Sequence, residues 1–168
     1  MEHNRETEPY LIGALLMIIS QTLFRRIDRR LAEEGFPDYR PAHRPVFQYL
    51  SVEGSRITEL AERAQITKQS MGELVHSLEE RGYVERVPDP RDGRAVLIRR
   101  TERGWALNRT LRRLVQELQD EWARMLGEQE MEHLLRLLRR LAGLVGDASQ
   151  TTVSGDPRSM KHAGGSMR

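Results

Sequence analysis

From Pro9 to about Glu34, apolar residues return every three or four positions. Ile12, Leu16, Ile19, Leu23, Ile27 and Leu31 form one stripe, as on a single long helix. In the first half of this segment Leu11, Leu15, Met17 and Ile18 make the remaining faces apolar too. A helix apolar all round must be covered all round, and in a chain of 168 residues that favours a subunit interface over a very large core. The stretch "GFPDYRP", Gly35 to Pro41, then breaks the helix with a glycine and two prolines. A second helix is expected over about Ala42 to Val52, with Val46, Phe47 and Leu50 inward. Pro45 falls in or near its first turn, where a missing amide hydrogen costs least.

The next pattern is the most specific: "RITELAERAQITKQSMGELVHSLEERGYV". Ile57, Leu60, Ala61 and Ala64 mark a short helix, and Gln65 and Ile66 form a tight turn. Thr67 is a good N-cap for a second helix whose inner face is Met71, Leu74, Val75 and Leu78, closed by Gly82. Two short helices joined this tightly make a helix-turn-helix. Extended segments follow at about Val84 to Pro88 and Ala95 to Arg100. Between them Pro88, Pro90 and an apical Gly93 predict a hairpin whose loop is too long for a two-residue turn, a β-wing.

Thr101 can cap a further helix, whose stripe runs through Leu107, Leu111, Leu114 and Leu118 towards Met125. Gly127 interrupts it, Glu128 restarts it, and Leu134, Leu135, Leu137, Leu138, Leu141 and Leu144 make a leucine-rich last helix. Like the first helix, it carries more apolar surface than a monomer readily hides. Beyond Gly146 apolar residues are sparse and a disordered tail is expected over 147–168.

Composition narrows the chemistry. The absence of cysteine excludes disulfides, thiolate metal sites and cysteine redox sensing. The run "LIGALLMIIS" is about half the length of a membrane span, so neither signal peptide nor membrane anchor is expected. His3, His43, His76, His133 and His162 are scattered. There is no paired-histidine zinc motif, glycine-rich phosphate loop or nucleophile elbow, so no enzyme, metal or cofactor is expected.

Net charge is only +2, but it is unevenly spread. Residues 81–113 hold ten arginines against Glu85, Asp89, Asp92 and Glu102, whereas residues 114–133 hold six acids against Arg124. Such a basic block suits a face for polyanions, or a solvated helix surface. The wing beside the helix-turn-helix favours nucleic acid.

In that reading the second helix offers its N-terminal residues to a DNA major groove. Thr67 and Ser70 can serve base or backbone, Lys68 phosphate or guanine, and Gln69 adenine, while Glu73 can accept from cytosine and His76 can meet phosphate. At the wing, Arg91 and Arg94 suit a minor groove, with Arg86 behind them, and Asp92 is expected to pair with Arg94 and hold its side chain.

The stretch "ITELAERAQITKQSMGELVHSLEERGYVERVPDPRDGRAVLIRRTERG" resembles the MarR family of bacterial transcription regulators. Its Asp-Pro-x-Asp-x-Arg wing pattern is matched by Asp89, Pro90, Asp92 and Arg94, and the helix order agrees over about residues 9–146. The resemblance implies a mainly α fold with a small β-wing. A winged helix-turn-helix DNA-binding domain at 41–101 would be flanked by a helical dimerisation region at 9–34 and 102–146.

It also implies a cytoplasmic homodimer binding double-stranded DNA at a near-palindromic operator, more often as a repressor than an activator. A small aromatic or anionic effector would lie in a crevice lined by Phe24, Tyr39, His43 and Trp105, with Arg44 or Arg25 for a carboxylate. Each of these has an ordinary alternative: Phe24 and Trp105 as core, His43 as a helix-start residue with a local hydrogen bond. Two positions depart from the family pattern: Gln65 where glycine is frequent, and Arg100 where leucine is usual. The competing function is an architectural or protein-docking winged helix that does not read sequence.

Overall fold

The computed structural model describes residues 11–145. The ends of the expected segments at Pro9, Tyr10 and Gly146, and the tail at 147–168, lie outside the described residues. The elements run α1 (Ile12–Glu33), a 3-10 turn (Pro41–His43), α2 (Arg44–Tyr49), α3 (Ile57–Ala64), α4 (Lys68–Glu80), β1 (Val84–Asp89), β2 (Asp92–Arg100), α5 (Glu102–Leu126) and α6 (Glu128–Val145). The described residues are therefore mainly helical, with one antiparallel two-stranded sheet among them.

The core sits where α2, α3, α4 and the wing base meet α5. Val46, Leu60, Met71, Val75, Leu78, Tyr83, Ile98 and Leu107 are completely buried there. Tyr39, Phe47 and Tyr83 pack edge to face, with ring centroids 5.6 to 6.4 Å apart. Such contacts favour the positive ring edge over a neighbour's negative face. The C-terminal half of α1 joins this core through Ile27 and Leu31, and α5 through Leu114 and Leu118. Outside the core, α1 and α5 are laced by charge. Arg26 makes a bidentate pair with Glu121 (2.7 and 2.6 Å), Arg30 bonds Glu117 (2.7 Å), and Arg113 bonds both Glu117 and Glu34. The acidic block of α5 is thus largely answered by the basic residues of α1.

α2 is shorter than expected at both ends. Pro41, Ala42 and His43 form the tighter 3-10 turn, leaving Pro45 in the first turn of α2, and the helix stops at Tyr49. Arg100 supplies the reason. Its guanidinium donates to the carbonyls of Ser51 (2.9 Å), Phe47 (3.2 Å) and Leu50 (2.7 Å), satisfying acceptors that a continuing helix would have used. The same group lies over the rings of Trp105 (5.0 Å) and Phe47 (5.6 Å). Burial, reinforced by the neighbouring Arg112, pushes its pKa down to about 10. The residue that replaces the usual leucine is therefore a helix stop.

The wing also differs from expectation. Its strands reach Asp89 and Asp92, so only Pro90 and Arg91 separate them. Pairing runs regularly from Val84–Arg100 to Pro88–Val96, then jumps to Asp89–Asp92, leaving Gly93, Arg94 and Ala95 in a bulge on β2. Gly93 lies within that bulge, and the apex is Pro90-Arg91. The extra residues were taken up by strand irregularity, which bends a strand and re-aims its side chains.

At the base of the wing the chain passes close to itself. Thr101 caps α5 by accepting from the Gly104 amide (3.1 Å), its amide donates to the Tyr83 carbonyl (3.2 Å), and its hydroxyl donates to the Gly82 carbonyl (2.5 Å). A Cβ on Gly104 would overlap the Tyr83 carbonyl oxygen. Only glycine lets α5 start this near the end of α4.

The terminal helices contrast with this packing. In the first half of α1, Ile12, Leu15, Leu16, Met17, Ile18 and Ile19 are exposed. In α6 only Met131 is buried, while Leu134, Leu137, Leu138, Leu141 and Leu144 are 36 to 74% exposed. No described helix is long and apolar enough to cross a membrane.

Candidate nucleic-acid interface

The helix-turn-helix is built from α3 and α4. Gln65 closes α3 in the left-handed region (φ 54°, ψ 38°) and is the one non-glycine residue with positive φ among the described residues. That conformation costs a non-glycine residue roughly 1–2 kcal/mol. It is compensated in part by the turn bonds from the Gln65 amide to Glu62 and from the Ile66 amide to Ala61, both 3.1 Å. Thr67 caps α4 through its hydroxyl, which accepts from the Ser70 amide at 3.1 Å.

The inner face of α4 is sealed by Met71, Val75 and Leu78, and the opposite face carries Lys68, Gln69, Ser70, Glu73 and His76, all exposed. Gln69 donates to Glu73 (3.3 Å), and His76 lies 3.5 Å from Glu80. Lys68 is exposed at the start of the helix, where the positive end of the helix dipole adds to its charge. The six residues expected on this helix thus share one exposed surface with its first turn.

On the wing Arg91, Asp92 and Arg94 are exposed. Among the described residues neither Arg91 nor Arg94 forms an ion pair, although the charge of Arg91 helps to lower the pKa of Asp89. Arg86 is different: its Nε donates to Glu79 on α4 at 3.0 Å, tying β1 to the end of that helix. The expected Asp92–Arg94 side-chain pair is replaced by another arrangement. Asp92 accepts from the Arg94 backbone amide (3.2 Å), and its carboxylate faces Arg56 (3.4 Å). Asp89 is buried and accepts from Arg56 Nε (3.0 Å), Arg56 Nη2 (2.6 Å) and the Arg91 amide (2.9 Å). The Arg56 bonds, then the Arg91 amide, hold its carboxyl below the usual carboxylate range.

The residues expected around an effector are divided among three places. Phe24, Arg25 and Arg44, with Gln21, Asp28 and Pro41, line an open cleft of about 250 Å³. In it Arg44 stacks over Phe24 (4.3 Å) and pairs with Asp28. Tyr39 lies in the aromatic core, and burial raises its pKa. Trp105 sits under Arg100.

His43 is buried, and both its nitrogens are engaged. Nδ1 accepts from the Arg40 amide (3.1 Å), which puts the proton on Nε2, 3.1 Å from the Ser77 hydroxyl on α4. Burial, then the charges of Arg81 and Arg40, lower its pKa against the opposing effect of Asp38. Core packing rather than a crevice claims Tyr39 and His43, while Trp105 is half-buried against Arg100. Among the described residues no three His, Cys, Asp or Glu side chains gather as for a metal ion.

This arrangement, a capped second helix of a helix-turn-helix beside a two-stranded wing and between long apolar helices, is similar to known proteins. The MarR family profile matches residues 38–95, from the start of the aromatic core to the wing bulge. Over these residues the chain is similar to the MarR family. Its curated relatives include the uncharacterised helix-turn-helix-type transcriptional regulator YdcH of Bacillus subtilis, 31% identical over 94 residues. That match covers 55% of this chain and 64% of YdcH. A helix-turn-helix-type transcriptional regulator of Mycobacterium tuberculosis, MT0903.1, is 34% identical over 89 residues, 53% of this chain and 62% of its own length. The chain therefore spans just under two thirds of these relatives.

Among solved structures, the reduced form of MarR from E. coli superposes with a TM-score of 0.66 at 26% identity, covering 80% of this chain and 98% of that one. The repressor CouR bound to a 23-mer DNA duplex gives a TM-score of 0.60 at 24% identity, covering 79% of this chain and 92% of CouR. The MarR-type fold thus extends well beyond the profile match, into the terminal helices.

Proposed function

We propose that this protein is a transcriptional regulator that binds double-stranded DNA as a homodimer and reads a near-palindromic operator, acting as a repressor. The observation that carries the reading is the shared exposure of the α4 N-terminal residues and of the two wing arginines, neither of which is in an ion pair. α4 offers Thr67, Lys68, Gln69, Ser70 and Glu73 to base edges and backbone, with His76 further along. Arg91 and Arg94 enter the adjacent minor groove, where narrow, negative walls favour guanidinium. Arg86 contributes less, since Glu79 already offsets its charge. The exposed apolar faces of α1 and α6 join two copies, and two-fold symmetry in the protein asks for an inverted repeat in the DNA. Residues 41–101 are the reading domain in this account, and 9–34 with 102–146 the joining one.

Effector relief has a narrower basis. The Phe24–Arg44 cleft offers an aromatic face and a guanidinium, so an aromatic anion would have to displace Asp28 from Arg44.

The test is selection of bound duplexes from a random DNA pool at physiological salt, with wild type and Arg94→Ala side by side. The reading expects an enriched inverted repeat, half-sites about 10–10.5 base pairs apart or a multiple of that. It expects the variant to hold that repeat more weakly by about 1–3 kcal/mol. Unselected sequence from both proteins would instead favour an architectural winged helix.

A further inference from the structure

Arg56 stands just before α3, far from the wing in sequence, yet its side chain reaches the wing's turn. Nε and Nη2 both donate to Oδ2 of Asp89, and Nη2 also faces Asp92. Asp89 has 6% of its side chain exposed, so its charge is removed from water at the hairpin's end. Removing the partner of a buried charge is strongly destabilising, because the charge stays behind uncompensated. Each carboxylate also holds one tip arginine by its backbone: Asp89 accepts from the Arg91 amide, and Asp92 from the Arg94 amide.

One residue earlier, Ser55 exchanges backbone bonds with Ile98 on β2, donating at 3.0 Å and accepting at 2.9 Å. Residues 55 and 56 therefore fasten the wing to the helix-turn-helix at two points, mid-strand by backbone and near the tip by side chain. A two-stranded hairpin has little stability of its own, and a tip carrying a bulge has less.

We propose that Arg56 is the positioning residue of the wing: through Asp89 and Asp92 it fixes where Arg91 and Arg94 stand relative to α4, so that reading helix and wing engage DNA as one rigid unit. This rests on the DNA-binding reading above. In it the two wing aspartates serve Arg56 and the tip amides, and the arginines they support are left free for DNA. Ordering the tip before binding spares the complex the entropy of ordering it on DNA.

Electrostatics and positioning predict opposite signs for one substitution. Asp89→Asn removes a negative charge beside DNA, and on charge alone it tightens binding. If Asp89 anchors the tip, it weakens binding. The experiment takes the full chain and the duplex selected by wild type, and compares Asp89→Asn, Arg56→Gln, the double variant and Arg56→Lys. Affinity is read alongside hydroxyl-radical protection of the minor groove and methylation interference in the major groove, with thermal melts showing that each variant is folded.

The expected result is a loss of about tenfold or more for each single variant. The double variant should be no worse than the poorer single, and Arg56→Lys should recover part of the loss. Minor-groove protection should fade while major-groove interference stays. Wild-type or tighter binding by Asp89→Asn with full minor-groove protection would overturn the proposal. A loss confined to Arg56→Gln would overturn it too and make Arg56 a phosphate contact. If wild type itself selects no duplex, both the proposal and the DNA-binding reading fall. If wild type selects one but protects no minor groove, only the wing's role falls.

Discussion

α4 and α6 are written in much the same way, with an apolar residue every three or four positions and charged or polar residues between. Their fates differ. α4 buries Met71, Val75 and Leu78 completely, whereas α6 buries Met131 and leaves a row of leucines open. α1 contains both behaviours in one helix: Ile27 and Leu31 sink into the core, and the stripe from Ile12 to Ile19 does not. Patterning alone therefore tells which face of a helix is to be covered, but not by what. For α4 the cover is within the chain. For α6 and the start of α1 no described residue provides it, and in the proposed homodimer a second copy would.

The contrast can be broken most forcefully in the core. Leu78→Ala should lower folding stability by about 2–5 kcal/mol, because removing most of a branched side chain with no exposed surface leaves a cavity. A denaturant titration should give the same shift at every protein concentration. Leu137→Asp on α6 should behave in the opposite way. Its helical circular dichroism should survive, while the dimer dissociation constant rises by tenfold or more, consistent with about 1.5–3 kcal/mol for covering one leucine. Dilution series on the two variants separate intrachain from interchain cover. Equal concentration dependence for both would erase the distinction.

Gly104→Ala sharpens the comparison within α5. A methyl there meets the Tyr83 carbonyl oxygen, so α5 must shift away from the winged core, with an expected cost of about 1–3 kcal/mol in a thermal melt. An alanine at Gly143 on α6 meets nothing within 4 Å and should be nearly silent in the monomer.

The smallest effect concerns pH. His43 is held neutral in the fold, with its pKa below the ordinary 6.5. Below pH 6.5 the unfolded chain binds a proton that the folded chain resists, so stability present above that pH declines as pH falls. His43→Asn should flatten this slope between pH 7 and 5. An unchanged slope would assign the dependence to other groups.

Much of this was legible in the chain. Thr67 as a cap, Gly82 as a stop, the apolar face of α4 and the existence of the wing all follow from local rules of spacing and turn chemistry. The misses are long-range. Nothing local marks Arg56 as a partner of Asp89, because a charged residue before an apolar helix is ordinary wherever it occurs. Nor does the sequence near Leu50 announce that Arg100 will end α2 from across the sheet. The wing's strands were longer than expected because a bulge absorbs Gly93 to Ala95, residues whose chemistry reads as loop. Position along the helix order groups the expected effector residues, but the fold divides them: Tyr39 and His43 are buried, Trp105 lies against Arg100, and Phe24 and Arg44 line the cleft.

The most direct measurement is the solution mass of the full chain by sedimentation equilibrium at micromolar concentration, without DNA. The account predicts twice the 19.5 kDa chain mass, falling towards a single chain for Leu137→Asp. A wild-type protein of 19.5 kDa across that range would contradict it, leaving the leucines of α6 to be covered by something other than a second copy.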